Sequence, residues 1–177
     1  EQRGYITPLE FNLLANQAQM IIFEQYFYDL EKMMRAPGND TVHADRVDII
    51  EEKINHFIVP LATPTGGGSG IWTLPSDLYR LSNVYYGASF PRINITEAKA
   101  KDINRLMRLP LTKSEYYYVR ELNKINVYPT TTTSNVKIEY IKKPADVYWA
   151  YVVVPNAQGG NEYPLHDSST TVNFELH

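Results

Sequence analysis

The sequence predicts an α+β protein: an N-terminal antiparallel helical hairpin joined to a small, mostly antiparallel β-sheet or sandwich with one further helix. Three observations predict it. Residues 7–58 carry apolar side chains at helical spacing, and strand-like alternation begins only past residue 70. Between these regions lie Pro60, Pro64 and the run Gly66-Gly67-Gly68-Ser69-Gly70. The segment 125–144, INVYPTTTTSNVKIEYIKKP, alternates apolar and polar residues on both sides of a threonine-rich stretch.

Thr7-Pro8-Leu9-Glu10 is a strong helix start, with Thr7 as cap, Pro8 at the first helical position and Glu10 completing a capping box. No breaker follows before Pro37-Gly38, so the helix spans about 27 residues, or ~40 Å. Its first half has a polar face of Glu10, Asn12, Asn16, Gln17 and Gln19. In the second half Ile21, Ile22, Phe23, Tyr26, Phe27, Tyr28 and Leu30 point in most directions. A helix apolar on most sides is buried on most sides. In so small a chain a partner subunit is expected to cover part of it, which makes Ile22, Phe23, Tyr26, Phe27 and Tyr28 candidate interface residues. The competing reading is one wide core face. A second helix over 42–58 puts Val47, Ile50, Ile54, Phe57 and Ile58 on one stripe and closes an αα-hairpin. The expected organisation is a hairpin over 1–60, a flexible joint over 61–70 and a β-rich domain over 71–177.

Strands are expected at Ile71 to Leu74, Tyr79 to Tyr86, Tyr116 to Arg120, Val147 to Val154 and Thr171 to Leu176. One helix interrupts them, running from Glu97 to Arg108 between a Thr96 cap and Pro110. Residues 155–170 read as a long polar loop. Residues 125–144 read as a hairpin whose tip, Thr130 to Asn135, is longer than the Asn-Gly turn a tight closure would use. Such an arm is about 20 Å long and is expected to dock on an adjacent subunit through Thr130, Thr131, Thr132 and Thr133. The alternative is an ordinary solvent-exposed loop.

A chain of 177 residues makes one domain or two small ones. A net charge of −3 argues against a general nucleic-acid binder. The absence of cysteine excludes disulfides, thiol catalysis and cysteine zinc sites. The longest apolar run, Met20 to Phe23, is far short of a membrane span. The chain starts at Glu1 without methionine and stops at His177 directly after a strand pattern, so a fragment of a longer protein is expected.

No motif points to catalysis. Ile71-Trp72 stand where a phosphate loop would need Lys and Ser/Thr. His43, His56, His166 and His177 have no paired ligand spacing. His166-Asp167-Ser168-Ser169 holds the letters of a triad, but near-neighbours on one loop rarely converge as base, acid and nucleophile must. Asp48, Glu51 and Glu52 lie on the outer face of an amphipathic helix, where carboxylates keep ordinary pKa values. No catalytic residue, cofactor or metal is assigned, and the chain is not expected to be an enzyme.

Two features point to contact surfaces instead. Lys101, Arg105 and Arg108 recur at i, i+4 and i+7 as a basic stripe, suited to phosphates or an acidic surface, or else simply solvated. Seven of the fourteen tyrosines cluster at Tyr85-Tyr86, Tyr116-Tyr117-Tyr118 and Tyr148-Trp149-Ala150-Tyr151. Tyrosine joins an apolar body to a polar tip and is enriched at protein interfaces, while sugar binding uses the same residues.

QRGYITPLEFNLLANQAQMIIFEQYF at residues 2–27 resembles the opening of virion structural proteins of tailed bacteriophages. LPSDLYRL at 74–81, INVYP at 125–129, and YIKKP at 140–144 followed by Trp149 and Tyr151 recur there in the same order. The likeness spans nearly the whole chain and is greatest to ring proteins of crAss-like phages, related to the head-to-tail adaptors of short-tailed phages. It implies a ring, commonly of about twelve copies, beneath the portal in the virion neck. The implied partners are the chain itself, the portal, further neck and tail proteins, and non-specifically the DNA in the lumen. No membrane contact and no catalytic residue are implied. The alternative from a different class is a carbohydrate- or host-binding β module of a phage tail.

Overall fold

The structure, a computed structural model, describes residues 6–35, 41–108, 115–154 and 163–176. Two helices, α1 (Pro8–Arg35) and α2 (Thr41–Asn55), come first. Then follow β1 (Ile58–Ala62), β2 (Thr65–Gly66), a 3-10 turn (Gly68–Gly70), β3 (Ile71–Thr73), β4 (Leu78–Tyr86), β5 (Ile93–Asn94) and β6 (Thr96–Glu97). After a short helix, α3 (Ile103–Leu106), come β7 (Tyr117–Glu121), β8 (Lys124–Tyr128), β9 (Val136–Lys142), β10 (Tyr151–Val154) and β11 (Tyr163–His166). The protein is α+β, with mostly antiparallel sheets. It forms two compact units, Glu1–His56 with Pro144–His177, and Phe57–Lys143.

The Phe57–Lys143 unit is built from two sheets, in strand orders β1-β9-β4-β5 and β2-β3-β8-β7-β6. Every pairing is antiparallel except β6 with β7. The alternation read in the sequence sets the core. Ile125 and Val127 of β8 and Val136, Ile138 and Tyr140 of β9 are all buried, with Trp72, Leu74, Val84, Ile95 and Tyr118. Tyr140 keeps its phenol satisfied by donating to Asp77 at 3.1 Å.

Residues 125–144 are not a hairpin. β8 pairs with β3 and β7, whereas β9 pairs with β1 and β4, so residues 129–135 cross from one sheet to the other. Period-two alternation fixes which face of a strand is buried and leaves its neighbours open. The expected 61–70 joint also belongs to this unit. Gly66 pairs with Trp72, and Gly67 and Gly70 form the seat of the crossover. A Cβ on Gly67 would lie 2.7 Å from the Thr133 carbonyl, and one on Gly70 2.6 Å from the Val127 carbonyl. Both have positive φ, which a side chain resists, so only glycine lets the threonine-rich segment pack so closely. The two oddest stretches of the sequence are thus one structural device.

The expected helix from Glu97 to Arg108 shrinks to Ile103–Leu106. Thr96 and Glu97 are taken by parallel pairing with Tyr117 and Tyr118, and the Ala98 N–H donates to the Tyr118 carbonyl at 2.8 Å. α2 stops at Asn55 because Ile58 is drawn into β1 opposite Ile141.

In the other unit, α1 starts as its sequence requires. Glu10 N–H donates to Thr7 Oγ1 at 3.3 Å, and Thr7 N–H donates to Glu10 Oε2 at 2.9 Å. The Thr7 N–H and then the Thr7 hydroxyl, which donates to the same oxygen at 2.8 Å, hold the Glu10 carboxyl below its usual pKa. Lys53 of α2 lies over the Tyr26 ring, 5.2 Å from its centroid. The expected stop at Pro37-Gly38 lies outside the described residues.

Three residues of the expected polar face of α1, Asn12, Asn16 and Gln19, turn inward, while Glu10 and Gln17 stay exposed. Asn12, Ala15, Gln19 and Phe23 are its buried residues. Asn12, Asn16 and Gln19 meet an extended segment at Trp149, Val147 and Ala145, every second residue. Trp149 N–H donates to Asn12 Oδ1 at 2.7 Å, and Asn12 Nδ2 donates to the Trp149 carbonyl at 3.3 Å. Val147 N–H donates to Asn16 Oδ1 at 2.6 Å, and Asn16 Nδ2 returns to the Val147 carbonyl at 2.9 Å. Gln19 Nε2 donates to the Ala145 carbonyl at 2.6 Å, while the Ala145 N–H goes to Glu175 at 3.1 Å. Three side-chain amides thereby act as the neighbouring strand this segment lacks, because peptide groups taken from water must find partners. The expected strand over 147–154 therefore begins only at Tyr151, which pairs with His166 at the start of a two-stranded ribbon. Of the expected strand over 171–176, Val172 alone pairs, with Tyr148. The expected 155–170 loop holds β11, and its residues 155–162 lie outside the described residues.

Candidate functional site

Turning amides inward leaves apolar side chains outside. On α1, Leu9, Leu13, Leu14, Ile21, Ile22, Tyr28 and Met34 are exposed, Leu13 to 70% and Tyr28 to 61%. On the segment that α1 holds, Tyr148, Trp149, Tyr151, Val152, Val153, Leu165, Val172 and Phe174 are exposed as well. Val152 and Leu165 sit opposite each other in the β10–β11 ribbon, and Tyr151 and Val153 take the other face. Among the described residues, the large apolar side chains left exposed in the Phe57–Lys143 unit are Ile71, Phe90 and Leu122. These side chains make this unit the candidate interaction surface.

The candidate interface residues divide. Ile22 and Tyr28 are exposed and available to a partner. Phe23 is 0% exposed, and Phe27 is half-buried with its ring edge-on to Phe23 at 5.1 Å. Tyr26 is half-buried beneath Lys53. The wide-core reading thus holds for Phe23, while Ile22 and Tyr28 point to solvent. Thr130, Thr131 and Thr133 are exposed, but Thr132 is buried and its N–H donates to the Pro129 carbonyl at 3.0 Å.

Lys101, Arg105 and Arg108 do not form one helical face, since Lys101 and Arg108 lie in turns flanking α3. Lys101 and Arg105 instead line an open cleft of about 560 Å³ with Lys99, Glu97, Asp102 and Tyr117, and Arg108 is not in its lining. Among the described residues no carboxylate forms an ion pair with these cations. Tyr117 donates to Glu115 at 3.4 Å, and burial followed by the Glu115 charge raises its phenol pKa. Behind it Tyr118 is buried near Glu97, and burial pushes its phenol up to about 12.

The triad letters have another use. Ser169 Oγ donates to Asp167 at 2.6 Å and Thr170 Oγ1 to the same carboxylate at 2.7 Å, which closes the loop and lowers the Asp167 pKa. His166 Nε2 lies 3.1 Å from Thr171 Oγ1. Ser169 therefore hydrogen-bonds the acid rather than the imidazole. Asp48, Glu51 and Glu52 are exposed on α2. Among the described residues no cluster of three His, Asp or Glu is placed to hold a metal, and no helix is long and apolar enough to cross a membrane. His43 has no described side chain, and His177 lies outside the described residues.

Sequence reasoning missed the amide ladder and the outward apolar face. The available signal was Asn12, Asn16 and Gln19 at i, i+4 and i+7 with Ala15 among them, the spacing of a buried stripe. No protein-family model and no curated protein matches the chain.

Proposed function

We propose that the chain is a structural subunit of a tailed-phage virion. Copies assemble into a homo-oligomeric ring in the head-to-tail connector, beneath the portal and next to further neck and tail proteins. One observation carries this reading: the exposed apolar side chains of the Tyr148-to-Phe174 segment, with Val152, Val153 and Leu165 of the β10–β11 ribbon among them. Burying such side chains against a neighbour stabilises by about 1.5–3 kcal/mol each when complete, which favours self-association. The sequence resemblance supports the phage assignment and the ring. In that setting Lys99, Lys101 and Arg105 face an acidic partner surface or the DNA in the lumen, and the subunit performs no catalysis. Electron microscopy of the purified chain tests the reading. Closed rings of one diameter are expected, and particles without closure contradict it.

The exposed aromatics Tyr148, Trp149 and Tyr151 favour a second reading, a glycan-binding module on the virion. A monomer that binds immobilised glycans and loses binding with Trp149→Ala would select it over the ring.

A further inference from the structure

The outer side of α1 carries exposed residues at coiled-coil spacing. Leu14, Ala18, Ile21, Gln25, Tyr28 and Lys32 are all exposed and recur at alternating intervals of four and three residues. That spacing averages 3.5 residues and keeps a stripe facing a second helix along its length. One set of seven-residue positions is apolar (Leu14, Ile21, Tyr28); in the other, Ala18 leaves room for close approach, and Gln25 and Lys32 put polar groups in the C-terminal half. The seam faces away from Asn12, Asn16, Gln19 and Phe23, and its one side-chain hydrogen bond among the described residues is local, from Gln25 Nε2 to Asp29 Oδ1 at 2.8 Å.

Beside the seam lies a second exposed column, Glu10, Gln17, Glu24 and Glu31, also at seven-residue spacing. It holds the flanking position whose charges choose a coiled-coil partner. Glu10 serves the Thr7 cap and Glu31 pairs with Arg35, whereas Glu24 has no partner among the described residues. We infer that the α1 seam receives an amphipathic helix of another protein, apolar along its own seam and basic along its flanks. A second copy of this chain fits poorly. An antiparallel α1 sets the acidic column against itself, and a parallel one sets Glu24 beside Asp29. The described side chains of α2 are also acidic on balance, with Asp45, Asp48, Glu51 and Glu52 against Arg46 and Lys53. The inference does not rest on ring formation, for which the β10–β11 ribbon and its surroundings remain available.

The test measures fluorescence anisotropy of two synthetic three-heptad helices against the full chain. Both carry leucine along the seam; one has lysine on its flanks and the other glutamate. At about 50 mM salt the lysine helix is expected to bind at least about tenfold more tightly, with the gap narrowing at about 500 mM. Ile21→Asn should abolish binding with an unchanged melting curve, because Ile21 is 59% exposed. Gln17→Lys with Glu24→Lys should transfer the preference to the glutamate helix. Equal binding of the two helices, or binding of neither, overturns the inference. So does sedimentation showing that the chain pairs with itself through this seam and that Ile21→Asn dissolves the pair; that result would leave self-assembly standing.

Discussion

Val147 gives both of its peptide groups to one side chain, the Asn16 amide, and Trp149 does the same with Asn12. Asn16→Ala leaves a buried N–H and carbonyl unsatisfied and should cost about 1–3 kcal/mol in denaturant unfolding. Gln17→Ala, one position on and exposed, should stay within about 0.5 kcal/mol. Equal effects of the two would remove the ladder from the account. Local residue signals were legible: Thr7 and Glu10 cap α1 as their spacing requires. The ladder was not, because asparagine and glutamine on a helix ordinarily face water, and their partner segment lies some 130 residues away. Tyr118 carries a prediction of its own. A phenol whose folded pKa is raised adds no pH dependence below its unfolded value near 10, and its stabilising contribution falls as pH rises from there through about 12. Phenolate absorbance should show one tyrosine titrating last, and that late step should vanish in Tyr118→Phe.

At the scale of elements, the crossover from β8 to β9 stands on two glycines. Gly70→Ala forces a Cβ to 2.6 Å from the Val127 carbonyl at φ +75, and should cost more than about 2 kcal/mol. Gly68→Ala meets nothing within 4 Å and should be tolerated. Replacing Thr130 to Ser134 with Asn-Gly should unfold this unit, because a two-residue turn joins paired neighbours and these strands lie in different sheets. A soluble product with the parent melting temperature would contradict the crossover. The strands were legible because alternation survives any choice of neighbour: Ile125, Val127, Val136, Ile138 and Tyr140 are buried as their spacing requires. Sheet membership depends on contacts distant in sequence, and so does the loss of Thr96 and Glu97 from the helix that was expected to follow them.

At the scale of the whole chain, the Gly66–Gly70 boundary was plausible locally, yet the compact units join both ends of the chain and set the middle apart. Composition shifts along a sequence cannot reveal a unit assembled from its two ends. The same arrangement explains the apolar surface, since α1 uses its amides to hold the returning segment and leaves Leu9, Leu13, Leu14, Ile21 and Ile22 exposed. Val152→Glu, exposed on the ribbon, should therefore leave the melting curve intact while weakening self-association. The most direct measurement is native mass spectrometry of the full chain, with Val152→Glu in parallel. The account predicts one discrete closed oligomer for the parent chain and smaller species for the variant. A parent chain that stays monomeric at every concentration where the fold is intact would contradict it.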